Sequence, residues 1–128
     1  MLPPIFDGHN DTILRLYMAK AGKNYSFFRD NEGMHIDLPK AKAGGLGGGF
    51  FAMYVPNREP MGDLPGAKGG SSGYALPLPK PLNRTYAANF TAGMVACLLR
   101  VEAESAGQTK IVRNADELST ALDNGVLA

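Results

Sequence analysis

Ile5-Phe6-Asp7-Gly8-His9-Asn10-Asp11 is the stretch on which the reading of the whole chain turns. Ile5 and Phe6 open a strand, and a strand sends alternate side chains to opposite faces. Asp7, His9 and Asp11 are therefore expected on one side, and Phe6, Gly8 and Asn10 on the other. An imidazole and a carboxylate two residues apart lie about 6–7 Å apart along the backbone and can converge on one point. Both are ligands for a divalent metal such as zinc. Three polar groups on one strand face are costly to bury unless each has a hydrogen-bond or metal partner. The spacing alone leaves two readings open: a metal pair, or a histidine satisfied by Asp7 or Asp11 at a strand end that meets water.

Working outward, Thr12 or Asp11 can cap a short helix carrying Ile13, Leu14, Leu16, Tyr17, Met18 and Ala21, which Gly22 is placed to end. Lys23 to Met34 reads as a loop whose aromatics, Tyr25, Phe27 and Phe28, pin it to the body. His35-Ile36-Asp37 repeats the His-x-Asp spacing. It is the weaker metal pair, because Asp37 precedes Leu38-Pro39 and suits the N-cap of a short turn that Gly44 would end. Gly44 to Gly49 holds five glycines and runs into Phe50-Phe51-Ala52-Met53-Tyr54-Val55, expected as a second strand, apolar throughout as in a covered parallel sheet. The glycines suggest close backbone approach beside the first strand. They are no phosphate cradle, since neither a Gly-Lys-Ser/Thr nor a helix start follows.

Residues 56–84 carry six of the nine prolines and are expected to form a long Pro/Gly-rich functional or mobile loop. Gly69-Gly70-Ser71-Ser72-Gly73 within it matches the G-x-S-x-G of serine hydrolases in letters only, because no strand-turn-helix elbow surrounds it. From Thr85, read as the N-cap, the pattern is helical: Tyr86, Phe90, Met94, Cys97, Leu98 and Val101 form one apolar stripe, with Gly107 as a stop. Cys97 on that stripe is a small core residue rather than a nucleophile. Lys110 to Val112 is expected to be extended, Asn114 to Glu117 a capping box for a second helix ended by Gly125, and Val126-Leu127-Ala128 the opening of another strand. Strands alternating with helices in this order indicate an α/β protein with parallel pairing.

The 128 residues suffice for one domain with a core, and 45% hydrophobic with 20% charged residues is ordinary globular composition. A net charge of +1 without a cationic block gives no support for nucleic-acid or membrane-surface binding. Cys97, the single cysteine, rules out an internal disulfide framework and suits a reducing compartment. No run approaches the roughly 20 apolar residues of a membrane span, and no leader pattern opens the chain, so a cytoplasmic location is expected.

The run DGHNDTIL at Asp7 to Leu14, followed by HIDLPKAKAGGLGGGFFAMYV at His35 to Val55, resembles the start of the membrane dipeptidase (renal dipeptidase) family of zinc metallopeptidases. The resemblance implies the N-terminal portion of a (β/α)8 TIM-type barrel with two zinc ions at its mouth, hydrolysing the amide bond of a dipeptide through a metal-activated water. His9 and Asp11 correspond to the family's first two metal ligands, and Asp7 to a group behind them that orients an imidazole. A bridging Glu, further His ligands, the acid-base Asp and the substrate-anchoring residues would lie beyond Ala128. A full barrel needs roughly 250 residues, so residues 1–128 are expected to be a single incomplete domain, inactive alone. A homodimer fits the complete protein. Two alternatives stand beside this reading: another amidohydrolase of the same barrel type, acting on a lactam or ester, and a non-catalytic α/β module without metal.

Overall fold

The structure is a computed structural model, and it describes residues 3–19, 25–57 and 80–128. Two strands, β1 (Ile5–Asn10) and β2 (Leu46–Phe51), pair in parallel. Among the described residues four helices accompany them: α1 (Thr12–Tyr17), α2 (Leu38–Ala43), α3 (Arg84–Glu104) and α4 (Ala115–Asp123). The expected α/β class is what the chain adopts. Residues 126–128 extend the sheet on the far side of β2: the Ala128 N–H donates to Gly47 O at 2.9 Å, and the Gly49 N–H donates to Ala128 O at 3.0 Å. Thr109 then bridges Leu127 in parallel. The order across the sheet is therefore β1, β2, 126–128, and the segment around Thr109.

β2 begins earlier than its apolar run predicts. Leu46 and three glycines form most of it, and residues 52–57 leave it. The physical reason is proximity. A Cβ on Gly48 would sit 2.7 Å from the Ala128 carbonyl oxygen and 2.8 Å from the Phe6 ring, and one on Gly49 would sit 3.0 Å from Asp7 Cβ. Bare backbone is what lets the strands close up there. The left-handed conformation falls instead on Gly45 (φ 71°), which turns the chain out of α2. The expectation of a strand buried on both faces fails accordingly: Phe50 is 68% and Tyr54 57% exposed.

The helices follow their caps. Asp37 accepts the Lys40 N–H with Pro39 in the first turn of α2, as the sequence predicts. The cap of α3 is Asn83 and not the expected Thr85, because Asn83 accepts the Tyr86 N–H at 3.0 Å and starts the helix at Arg84. Asn114 accepts the Glu117 N–H at 2.8 Å while the Glu117 carboxylate returns to the Arg113 N–H at 2.9 Å, a capping box reaching one residue further back than expected. The helical part of α1 ends at Tyr17, and Ala21 and Gly22 lie outside the described residues. So does most of the 56–84 segment, including the Gly69–Gly73 stretch.

Phe27, Leu38, Ala41 and Leu127 form the buried core, with Leu16, Phe51 and Val101 packed against it, so the Phe27 loop is pinned to the body as expected. α1 docks on α3 at Gly93, where an added Cβ would lie 2.4 Å from the Tyr17 hydroxyl, and the Tyr17 ring meets Phe90 edge to face at 4.9 Å. Glu102 ties the segment after α3 back to it, accepting the Ile111 N–H at 2.9 Å and lying 3.3 Å from the Lys110 ammonium. Among the described residues no helix is long and apolar enough to cross a membrane.

Candidate metal centre

β1 does not keep strict alternation to its end. Asp7 aligns with Gly49 and Asn10 with Phe51, so three steps on β1 oppose two on β2 and one extra residue is accommodated between Asp7 and Asn10. The bulge turns Asp7 and Asn10 towards each other, where alternation would oppose them. The Asn10 amide donates to Asp7 Oδ2 at 2.9 Å. The same side chain accepts the Thr12 N–H on its Oδ1 at 3.1 Å, and the Asn10 carbonyl accepts the Ala52 N–H at 2.8 Å. Asn10 is the residue that sequence reasoning left without a role. Its signal was chemical: an asparagine side chain readily accepts the backbone N–H two residues on, and Asn10 stands two residues before Thr12.

His9 and Asp11 come together at this bulged end. His9 Nε2 lies 3.7 Å from Asp11 Oδ1, with the two side chains 69% and 47% exposed. Two donors each about 2.0–2.2 Å from a tetrahedral zinc ion stand about 3.3–3.6 Å apart, so this pair is close to the spacing that one ion requires. Asp11 occupies the N-cap position of α1 yet makes no side-chain capping bond. Its carboxylate is thus not spent on the helix. The donor set, one imidazole nitrogen and one carboxylate oxygen open to solvent, fits a divalent metal chemically. Among the described residues no third His, Cys, Asp or Glu joins a metal-holding group.

The second His-x-Asp pair is built differently. His35 is exposed, whereas Asp37 is fully buried. Asp37 accepts the Asn31 N–H at 3.0 Å, the Lys40 N–H at 3.0 Å and the Lys40 ammonium at 2.6 Å, and Lys40 also bonds Asp30. Burial alone pushes the Asp37 carboxyl up, but the Lys40 ammonium and the two amides outweigh it and hold it below the ordinary aspartate value. Asp37 is a structural hub with its lone pairs in use. Cys97 is half-buried, and that burial pushes its thiol up, away from the thiolate a nucleophile needs. A cavity of about 340 Å³ lies between the sheet and the helices, lined by Phe6, Phe51, Leu98, Val101, Ile111 and Leu118 among others, and neither His9 nor Asp11 borders it.

Solved structures match along nearly the whole chain. The crystal structure of a metallopeptidase from Rhodobacter sphaeroides, liganded with a phosphinate mimic of the dipeptide L-Ala-D-Ala, is 33% identical with a TM-score of 0.79, over 98% of this chain and 36% of that one. A dipeptidase AC, a metallopeptidase of family M19, is 34% identical with a TM-score of 0.76, over 97% of this chain and 32% of that one. An uncharacterised protein of the PQQ-III 3′ region of Acinetobacter calcoaceticus is 35% identical over 54 residues, 41% of this chain and 17% of that protein. The chain thus spans about a third of the length of the solved structures it matches. The family model for membrane dipeptidase (peptidase family M19) matches residues 2–128, and the chain belongs to that family.

Proposed function

We propose that this chain forms about a third of a metal-dependent dipeptidase, with His9 and Asp11 holding one of two zinc ions at the mouth of a (β/α)8 barrel. The observation that carries the reading is the 3.7 Å approach of His9 Nε2 to Asp11 Oδ1 at the C-terminal end of a parallel strand. Barrel enzymes place their chemistry at that end. The parallel pairing supports the barrel: β1, β2 and 126–128 lie side by side and parallel, and the segment around Thr109 pairs in parallel beyond 126–128.

Zinc bound there supplies Lewis acidity towards the scissile carbonyl and a water of lowered pKa. The chain's own residues do the positioning. His9 and Asp11 present two donors on a strand end fixed by α1 and β2, and Asp7 supports them from behind through its bond to Asn10. A dipeptide is the substrate class favoured by the Rhodobacter sphaeroides relative, which was solved with a dipeptide mimic. The two donors brought together among the described residues are fewer than the three usual at a catalytic zinc, which supports reading them as part of a larger site.

The test is made in the intact protein. His9→Ala and Asp11→Ala should each abolish hydrolysis of dipeptides and lower the metal bound per chain, while His35→Ala leaves both nearly unchanged. Loss of metal from His35→Ala with retention in His9→Ala would show that the wrong pair has been chosen. Assays on D- and L-dipeptides beside lactams separate a dipeptidase from an amidohydrolase of other specificity.

A further inference from the structure

We infer that Asn10 is a positioning residue that holds the His9–Asp11 pair ready for metal, an inference that rests on reading those two side chains as ligands. An aspartate at an N-cap ordinarily spends its carboxylate on an amide of the first helical turn. Asp11 does not: its backbone, at φ −106° and ψ 29°, lies outside the extended conformation of a usual N-cap, and the preceding Asn10 Oδ1 accepts the Thr12 N–H at 3.1 Å. The Asn10 amide also donates 2.9 Å to Asp7 Oδ2 across the bulge, and its carbonyl receives the Ala52 N–H from the chain leaving β2 at 2.8 Å. His9 lies inside the loop closed by the Asp7–Asn10 bond, and Asp11 lies between the two ends of the Asn10–Thr12 bond. The two ligands are therefore fixed from either side by one carboxamide.

The polarity of that carboxamide is the testable point. One side chain must accept from Thr12 and donate to Asp7 at once. A carboxylate at position 10 keeps the first bond and turns the second into a repulsion. Asp7→Asn restores a donor opposite that carboxylate, so the pair can be exchanged as a unit.

The experiment compares Asn10→Asp, Asn10→Ala, Asp7→Asn and the double variant Asp7→Asn/Asn10→Asp in the intact protein. Zinc affinity is read by competition with a chromophoric chelator, ligand geometry from the visible spectrum of the cobalt-loaded protein, and folding from thermal melts. Asn10→Asp and Asn10→Ala should weaken zinc binding about 10–100-fold, the usual range for a group that orients a metal ligand. Both should alter the cobalt spectrum. Asp7→Asn alone, whose amide oxygen can still accept from Asn10, should weaken zinc binding less than either Asn10 variant, and the double variant should recover the affinity and spectrum of Asp7→Asn. Wild-type affinity in Asn10→Ala overturns the inference. A double variant no better than Asn10→Asp alone also overturns it. Should Asn10→Asp fail to fold, Asn10→Ala and the double variant still decide. If His9→Ala retains its metal, the metal reading itself has failed; if His9→Ala loses it while both Asn10 variants bind normally, only the role of Asn10 is wrong.

Discussion

Asp37 and His35 stand two residues apart and carry very different loads. Removing the Asp37 side chain deletes the cap of α2, worth about 1 kcal/mol, and leaves the buried Asn31 N–H without its acceptor, about 1–3 kcal/mol more. Asp37→Ala should thus cost about 2–4 kcal/mol in denaturant unfolding, while His35→Ala at an exposed site stays within about 0.5 kcal/mol. The acid limb of stability follows from the same carboxylate. A group whose folded value lies below its unfolded value of about 3.9 stabilises the fold above that pH, and the contribution is lost as the pH falls through the folded value. Glu102, held low chiefly by the Ile111 N–H and then by Lys110, acts in the same direction. Unfolding midpoints followed between pH 5 and 2 should fall in the wild type and fall less steeply in Asp37→Asn. At this scale the closeness of His9 and Asp11 was legible, because residues two apart at a strand end stay neighbours. The Asp7–Asn10 contact was not legible, because a bulge depends on the partner strand and leaves no mark in the alternation.

At the scale of elements, the glycines of β2 show what a local pattern conveys and what it omits. Their number announced a close approach, but what approaches is the chain at Ala128, eighty residues away in sequence, and the Phe6 ring. Gly48→Ala should destabilise the fold by about 1–3 kcal/mol, since the added methyl meets a backbone carbonyl that cannot swing aside. Thermal melts of Gly48→Ala beside Gly8→Ala check this, because a Cβ at Gly8 meets nothing within 4 Å. The starts of α2 and α4 were readable from their caps, since Asp37 and Asn114 act on amides three residues ahead, whereas α3 is capped by Asn83 and Asp11 makes no capping bond. The strand limits of β2 were not, because phenylalanines past the sheet carry the same apolar signature as phenylalanines within it.

For the whole molecule, the sheet and its helices leave apolar surface uncovered. Ile5, Phe6, Phe50 and Tyr54 are exposed, and the 340 Å³ cavity between sheet and helices is lined mostly by apolar side chains. At about 25 cal/mol per Å², several hundred Å² left wet forfeits on the order of 10 kcal/mol, comparable to the net stability of a domain. Residues 1–128 expressed alone should bind a hydrophobic dye, melt without a sharp transition and show no dipeptide turnover with added zinc. A cooperative melt from a monomer with turnover well above a His9→Ala control would contradict this. The central claim, that His9 and Asp11 are ligands of one metal ion, is tested most directly by anomalous diffraction at the zinc edge from crystals of the intact protein. The account predicts a peak about 2.0–2.2 Å from both His9 Nε2 and Asp11 Oδ1. A fully occupied zinc peak that touches neither residue would contradict it.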